Sequence, residues 1–222
     1  MDTIYHKEVS IIVGKVSLPG ELLIPSEAKG IVLFSHGSGS SRFSKRNQMV
    51  AKYLHQKNLG TLLFDLLTEH EDKDIYNRFN IDLLTRRLIG ATQWLEGLND
   101  ARDFSLGYFG ASTGAASALK ATAVIPQIQA VVSRGGRADL AYEDLHKVKA
   151  ATLLIVGSLD HDILLLNKKA YAQLGCEKKL EVVKGATHLF EERGTMEKVC
   201  ELASEWFENN LSSVLIEDNR TR

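Results

Sequence analysis

Short apolar segments alternate with amphipathic ones from residue 31 onward, and this alternation constrains the fold more than any other feature of the chain. The short segments are apolar on both faces, which is typical of central parallel strands covered by helices on either side. They lie at residues 31–36, 61–67, 105–110, 130–136, 152–158 and 180–185. The amphipathic segments carry apolar residues at helical spacing. They lie at residues 42–58, 82–98, 113–124, 163–174 and 195–211, with a further short helix expected over 138–147.

Strand, helix and strand repeated in this order predict a mostly parallel α/β sheet with right-handed crossovers. The preceding segment VSIIVGKVSLPGELLIP contains two strand-like pieces, separated by turn-forming residues at Gly14 and at Pro19-Gly20. We expect these pieces to form an antiparallel hairpin at the edge of the sheet, with helices on both faces and no cap domain.

No internal repeat, low-complexity tract or linker divides the 222 residues, so the sequence predicts a single domain over 1–222. We expect its core to span about residues 8–211 and the C-terminal tail to be flexible. The polar and acidic segment 68–80 is expected to be a solvated loop beside the site.

Charge and cysteine content exclude several classes of protein. The chain has 27 basic and 28 acidic side chains, so it lacks the basic surface of a nucleic-acid-binding protein. Two cysteines are too few for a disulfide framework or a zinc site. No signal-peptide core and no membrane-length apolar run is present in the sequence. We therefore expect a cytoplasmic monomer or homodimer that binds no metal, other cofactor, nucleic acid or membrane.

The segment FSLGYFGASTGAASALK, residues 104–120, fits two different chemistries. Its GASTGAA resembles the glycine loop of short-chain dehydrogenases, whereas residues 110–114 read G-x-S-x-G, the pattern of a nucleophile elbow. A dinucleotide loop normally follows the first strand and precedes an acidic residue by about 20 positions. Here the loop follows the third parallel strand, and the next strand contains Val131-Val132-Ser133-Arg134 and no carboxylate. The chain order therefore favours an elbow with Ser112 at its centre.

A nucleophilic serine needs a base and a group that orients the base. In such folds the order along the chain is serine, acid, histidine, each after a later strand. Asp160 and Asp162 follow the strand at 152–158, and His188 follows the strand at 180–185. The carboxyl ends of parallel strands meet at one edge of the sheet, where ligands bind. We predict a triad of Ser112, Asp160 and His188, with Asp162 as the alternative acid.

Attack on an acyl carbon creates an oxyanion, which needs preorganised hydrogen-bond donors. One predicted donor is the backbone N–H of Thr113, the residue after the nucleophile. The second is expected from the small-residue loop after the first parallel strand, where we choose the N–H of Ser38. His36 and Gly37 precede it and are candidate substrate contacts. We expect the His36 ring to shape this loop without transferring a proton.

Three arginines, Arg42, Arg134 and Arg137, fall on loops at the same end of the predicted sheet. As a cluster they could bind a substrate carboxylate or phosphate through bidentate hydrogen bonds. Alternatively, each pairs with a nearby Asp or Glu at the surface, and the sequence leaves both interpretations open. The interval between the strands at 130–136 and 152–158 is too short for a cap domain. We therefore expect an open, shallow site that suits small soluble esters.

Four motifs together resemble the α/β-hydrolase superfamily: VLFSHGSGSS, GYFGASTGAAS, LLIVGSLDHDI and GATHLFEE. The capless form and the G-x-x-D and G-x-x-H spacings are similar to dienelactone hydrolase-like proteins. This resemblance implies Ser112 as nucleophile, Asp160 as orienting acid and His188 as general base, acting on a small ester or lactone. Dienelactone hydrolases proper carry a cysteine in place of Ser112 and a different oxyanion loop at His36-Gly37. These departures favour a generic serine esterase.

Two alternatives to an esterase stay open at this point. An acyltransferase or thioesterase would use the same triad, and a hydrolase fold can also serve as a non-catalytic binding module. The sequence does not decide among ester, lactone, thioester and amide substrates.

Overall fold

The fold is built on one eight-stranded sheet, in a computed structural model that describes residues 3–211. The strands follow the spatial order β1-β2-β4-β3-β5-β6-β7-β8. They span Thr3–Val13 (β1), Val16–Pro25 (β2), Gly30–Ser35 (β3), Gly60–Phe64 (β4), Ser105–Ala111 (β5), Ile128–Arg134 (β6), Ala151–Gly157 (β7) and Lys178–Val183 (β8). Strands β3 to β8 are parallel to one another, whereas β1 and β2 form an antiparallel hairpin that joins the sheet through β4.

The helices lie mainly between consecutive parallel strands. They span Lys45–Gln56 (α1), Glu69–Asp72 (α2), Ile75–Phe79 (α3), Ile81–Glu96 (α4), Thr113–Thr122 (α5), His161–Gln173 (α6) and Thr195–Asn210 (α7). Two short 3-10 helices, Ala138–Ala141 and Leu145–Lys147, fill the connection from β6 to β7. The predicted α/β architecture with its N-terminal hairpin is confirmed, and residues 3–211 contain no cap domain.

Side chains of the central strands alternate between two apolar layers, as the pleat of a strand requires. Along β3, Ile31 and Leu33 pack into the layer that contains α4, α5 and α6, while Val32 and Phe34 pack with α1 and α7. Helices thus cover both faces of the parallel strands, which explains why these strands are apolar on both sides.

The segment 68–80, which the sequence analysis assigned to a loop, contains α2 and α3 instead. Thr68 and Glu71 form a capping box: the Glu71 N–H donates to Thr68 Oγ1 at 3.2 Å, and the Thr68 N–H donates to Glu71 Oε2 at 2.9 Å. Asp74 caps α3 by accepting from the N–H of Tyr76. The loop prediction was wrong because these capping hydrogen bonds stabilise short helices even in a polar segment. No residue of either short helix is buried.

Some predicted boundaries shift in the structure. Strand β4 ends at Phe64 and β6 at Arg134, both earlier than the sequence indicated. The C-terminal tail that we expected to be flexible lies outside the described residues. Within residues 3–211, no helix combines the length and the apolarity that crossing a membrane demands.

Candidate active site

Ser112 occupies the sharp turn between β5 and α5. Its backbone has φ 52° and ψ −120°, a region in which a residue with a Cβ is strained. The turn is held by the loop after β6: the Ser112 N–H donates to the carbonyl of Arg134 at 3.3 Å, and the Arg137 N–H donates to the carbonyl of Ser112 at 3.1 Å. The Ser112 side chain makes no capping hydrogen bond to α5.

Two glycines flank Ser112 because the turn packs closely against its surroundings. A Cβ on Gly110 would lie 2.5 Å from the Cα of Ala115. A Cβ on Gly114 would lie 2.1 Å from the carbonyl oxygen of Ser35, at the end of β3. Both distances are far inside van der Waals contact. The outer glycines of the G-x-S-x-G pattern are therefore required by packing at this strand-to-helix turn.

Asp160 follows β7 and His188 follows β8, and the two side chains meet. Asp160 Oδ2 lies 2.7 Å from Nδ1 of His188. The two loops are tied together where the N–H of Leu159 donates to the carbonyl of Ala186 at 2.9 Å. Asp162, the alternative acid, is exposed in the first turn of α6. The structure therefore brings Asp160, and not Asp162, to the histidine.

Ser112 and His188 line one pocket with a volume of ≈ 240 Å³. The other lining residues come from the loop after β3, the start of α1, the ends of β5 and β6 and the loop after β8. They are Gly37, Ser38, Ser40, Ser44, Arg46, Asn47, Ala111, Arg134 and Leu189. A pocket of this size can enclose a small acyl group.

The loop after β3 packs directly against the nucleophile turn. A Cβ on Gly37 would lie 3.1 Å from the Cβ of Ser112. The backbone N–H of Ser38 donates to Thr113 Oγ1 at 2.9 Å. The N–H that we chose as the second oxyanion donor is thus engaged by a neighbouring hydroxyl, a contact that sequence patterns do not indicate. The N–H of Thr113 belongs to the first turn of α5, where backbone donors have no acceptor within the helix.

His36 is buried and supports the same loop. Its Nδ1 lies 3.0 Å from the carbonyl oxygen of Gly37, and its Nε2 accepts from the N–H of Leu66 at 3.0 Å. One nitrogen donates and the other accepts, so the ring is neutral in this arrangement. Burial lowers the pKa of His36, although the Gly37 carbonyl and the Asp65 carboxylate act in the opposite direction. The contacts of the ring are structural ones.

The three arginines that the sequence grouped are in different environments. Arg42 pairs with Asp65 in a neighbouring cleft. Arg137 forms a bidentate pair with Asp139, with both N···O distances at 2.8 Å. Of the three, only Arg134 lines the pocket that contains Ser112. The structure therefore does not bring them together as one cluster.

Arg46 and Asn47, both in the first turn of α1, are among the pocket residues that were not singled out from the sequence. Arg46 Nη1 donates to Glu191 Oε1 at 3.0 Å, and Asn47 is buried. Ser44 caps this helix by accepting from the N–H of Asn47. A capping serine directly after the glycine- and serine-rich loop was the signal that could have found them. It places the first turn of α1 at the ligand-binding edge of the sheet.

Comparisons with solved structures relate this chain to hydrolases. A dienelactone hydrolase from Anabaena variabilis ATCC 29413 is 51% identical, with a TM-score of 0.92 over 95% of this chain and 100% of that one. Est1E from Butyrivibrio proteoclasticus has a TM-score of 0.79 at 15% identity, covering 91% and 98% of the two chains. The esterase Pf2001 from Pyrococcus furiosus has a TM-score of 0.77 at 17% identity, covering 94% of each chain. The last two share the fold with this chain.

Among curated proteins, two from Mycobacterium tuberculosis, strains CDC 1551 / Oshkosh and H37Rv, match the chain. Each is described as "Putative phosphoribosyl transferase" and is 50% identical over 206 residues. The match covers 92% of this chain and 46% of each relative, so the chain spans about half the length of the curated relatives it matches. No family profile matches the chain.

Proposed function

Because this chain belongs to the dienelactone hydrolase-like proteins of the α/β-hydrolase superfamily, we propose that it is a cofactor-free serine hydrolase of small esters or lactones. The observation that carries the proposal is the hydrogen bond of 2.7 Å between Asp160 and His188, a histidine that lines the same pocket as Ser112. The strained backbone of Ser112 supports it, because such strain is found at functional turns.

The reaction would proceed through an acyl-enzyme. Ser112 Oγ attacks the carbonyl carbon while Nε2 of His188 takes its proton and then gives it to the leaving alcohol. Water, activated by the same histidine, then releases the acid and restores Ser112. Asp160 accepts from Nδ1–H of His188, which fixes the tautomer and stabilises the imidazolium without itself being protonated.

The backbone N–H groups of Thr113 and Ser38 would stabilise the oxyanion. In the structure the Ser38 N–H donates to Thr113 Oγ1, so this hydroxyl holds the amide in place before substrate arrives. As charge develops, the Ser38 N–H then has to share its proton between Thr113 Oγ1 and the oxyanion, or release Thr113 Oγ1. Either route keeps the donor close to Ser112, because Gly37 packs against the nucleophile.

Hydrolysis is favoured over acyl transfer by the exposure of the base. The His188 side chain is 37% exposed, so water reaches the position from which an acyl-enzyme would be attacked. An acyltransferase has to exclude water from that position. Product analysis with added alcohol or thiol nucleophiles separates the two, since transfer would give a new ester or thioester instead of the free acid.

The description "Putative phosphoribosyl transferase" belongs to curated relatives that are about twice as long as this chain. The dienelactone hydrolase from Anabaena variabilis is covered completely by the present chain at 51% identity. We therefore assign hydrolase chemistry, and not phosphoribosyl transfer, to the region that the relatives share with this chain.

Turnover of p-nitrophenyl acetate by the purified protein tests the proposal. Ser112→Ala should lower kcat by about 10⁴-fold or more, because the nucleophile is removed. Ser10→Ala, in the exposed hairpin, is the matched control and should keep full turnover. Unchanged turnover in Ser112→Ala would rule out the acyl-enzyme mechanism.

A further inference from the structure

Asn47, on the buried face of α1, is a polar residue at the end of an apolar stripe. The buried residues of this helix recur at helical spacing and are Asn47, Val50, Ala51 and Leu54. The three apolar ones pack in the layer that contains α1 and α7. Asn47 is 2% exposed and lines the same pocket as Ser112 and His188. The apolar stripe therefore ends at this pocket with an amide.

The side-chain amide of Asn47 has no hydrogen-bond partner within residues 3–211, and its Oδ1 is buried. Asn167 is also buried with an unpaired Oδ1, but its Nδ2 donates to the carbonyl oxygens of Gly136 and Ile163, both at 2.8 Å. The amide of Asn47 lacks even such donor contacts. A buried polar group without a partner destabilises the folded chain. A ligand that pairs with this amide would remove the penalty.

The side chain of Asn47 has no role in starting α1. Ser44 caps the helix by accepting from the backbone N–H of Asn47, a contact that uses only the main chain of Asn47. A side chain at this third helical position can close a capping box by accepting from the N–H of the capping residue. Here the Ser44 N–H donates instead to the carbonyl of Ser41 at 3.0 Å. The amide of Asn47 is therefore left for a group that enters the pocket.

The chemistry of the amide indicates which group that is. Because no protein group within residues 3–211 holds it, the amide of Asn47 can rotate about χ2 and present either its oxygen or its nitrogen to the pocket. A hydroxyl group matches both ends, since it can donate to the oxygen or accept from the nitrogen. An apolar group in the same place would leave the amide unpaired, and such a substrate would bind less tightly.

We propose that Asn47 is a specificity-determining residue that hydrogen-bonds a hydroxyl group of the substrate. This inference rests on the proposed hydrolase function and narrows its substrates to esters or lactones that carry a free hydroxyl close to the scissile carbonyl. The pocket of ≈ 240 Å³ has to hold the carbonyl and the hydroxyl together. The two groups must therefore be separated by only a few bonds.

The test compares two esters that differ at one position. Ethyl 3-hydroxybutanoate, measured as separate enantiomers, carries the hydroxyl, and ethyl butanoate carries a hydrogen there. Their hydrolysis is followed in a pH-stat, and each kcat/KM is divided by the rate constant for hydrolysis by hydroxide, which corrects for intrinsic reactivity. We expect the corrected kcat/KM of the wild-type protein to be at least about tenfold higher for one enantiomer of the hydroxy ester than for ethyl butanoate.

Asn47→Leu keeps the approximate shape of the side chain and removes the amide. It should bring this ratio to about one, mainly by raising KM for the hydroxy ester. Gln48→Leu, at the next position of α1 but in a different cleft, is the control and should keep the ratio. A wild-type protein without the preference, or an Asn47→Leu variant that retains it, would overturn the proposal.

Thermal unfolding distinguishes a residue that serves the substrate from one that serves the fold. Asn47→Leu removes an unpaired buried amide, so its melting temperature should equal or exceed that of the wild type. Asn167→Leu removes two hydrogen bonds to carbonyl groups and should unfold at a temperature at least about 4 °C lower. A melting temperature lowered as far in Asn47→Leu as in Asn167→Leu would overturn the proposal, because the Asn47 amide would then have a structural role.

Nuclear magnetic resonance separates this inference from the hydrolase proposal. In the ¹⁵N-labelled Ser112→Ala variant, which should bind esters without cleaving them, the side-chain NH₂ signals of Asn47 are identified by their loss when Asn47→Asp is added. A shift of these signals with ethyl 3-hydroxybutanoate but not with ethyl butanoate supports the subsite even if the wild-type protein hydrolyses neither ester, and the hydrolase proposal would then fail alone. Hydrolysis of both esters at equal corrected rates, without such a shift, would overturn the subsite and leave the hydrolase intact.

Discussion

Backbone strain in this molecule is concentrated at the site. Among the described residues, three non-glycine residues have positive φ: Asn58, Ser112 and Phe190. Ser112 is the proposed nucleophile, and Phe190 lies two residues after His188 with its ring near Arg134. Such conformations persist only where the surrounding structure enforces them. At the residue scale, then, the strained backbone lowers the stability of the fold but holds Ser112 in the position that the proposed chemistry uses.

Asp160→Asn tests the role of the acid. The amide cannot hold His188 in the tautomer that accepts the proton of Ser112, so we expect kcat for p-nitrophenyl acetate to fall by about 10³- to 10⁴-fold. Asp162→Asn changes an exposed carboxylate two residues away and should leave kcat nearly unchanged. Equal losses in the two variants would contradict the assignment of Asp160.

At the scale of elements, the turn from β5 to α5 determines where the nucleophile lies. Helix α5 begins directly after Ser112 and lies so close to β3 that a Cβ on Gly114 would collide with the carbonyl oxygen of Ser35. The hydroxyls of Ser35 and Ser117 hydrogen-bond at 2.7 Å and strengthen the same contact. The position of Ser112 therefore depends on how α5 packs on β3.

Gly114→Ala should destabilise the protein by about 3 kcal/mol, because the new methyl group would collide with a backbone carbonyl and displace α5. The gain in helix propensity from glycine to alanine, about 1 kcal/mol, is smaller and opposite in sign. Chemical denaturation measures the difference. Gly175→Ala is the control, because its added methyl group meets nothing within 4 Å. The free energy of unfolding of this variant should differ from that of the wild type by no more than about 0.5 kcal/mol. Equal stability of the two variants would contradict this account of the turn.

The elements that could be predicted from the sequence are those with a strong local pattern. Central strands such as β5 and β7 were apolar on both faces, and this pattern depends only on burial between two helix layers. Helices α2 and α3 were missed because their signal is a few capping side chains in a polar segment. The placement of Ser112, Asp160 and His188 at one edge of the sheet could be predicted, because parallel strands all end at that edge. Two features could not be predicted: the hydrogen bond from the Ser38 N–H to Thr113 Oγ1, and the separation of Arg134 from Arg42 and Arg137. Both depend on side-chain geometry across separate elements.

At the scale of the whole molecule, two histidine rings are withdrawn from solvent, His36 almost completely and His55 in part. His36 lies beneath the loop after β3, and His55 in α1 lies 2.7 Å from the hydroxyl of Thr61 in β4. Burial lowers the pKa of His36, and it lowers the pKa of His55 from 6.5 to about 4. The folded state therefore favours the neutral form of both rings.

Stability should consequently fall in mild acid. Above about pH 7 both histidines are neutral in the folded and the unfolded chain, and they add no pH dependence. Below 6.5 the unfolded chain takes up protons that the fold excludes, so the free energy of unfolding should fall steadily toward a pH of about 4. Urea denaturation between about pH 8 and pH 5 measures this. His55→Gln should flatten the dependence, and His161→Gln, at an exposed position, should not. Stability that is constant over this range would contradict the burial of neutral rings.

The central claim is that Ser112 is the nucleophile of a working triad, and covalent labelling tests it most directly. Intact-mass spectrometry after exposure to a fluorophosphonate probe should show one adduct per chain, and peptide mapping should place it on Ser112. Ser112→Ala should show no adduct, and Asp160→Asn should label much more slowly. A wild-type protein that stays unlabelled, or an adduct that persists in Ser112→Ala, would contradict the account.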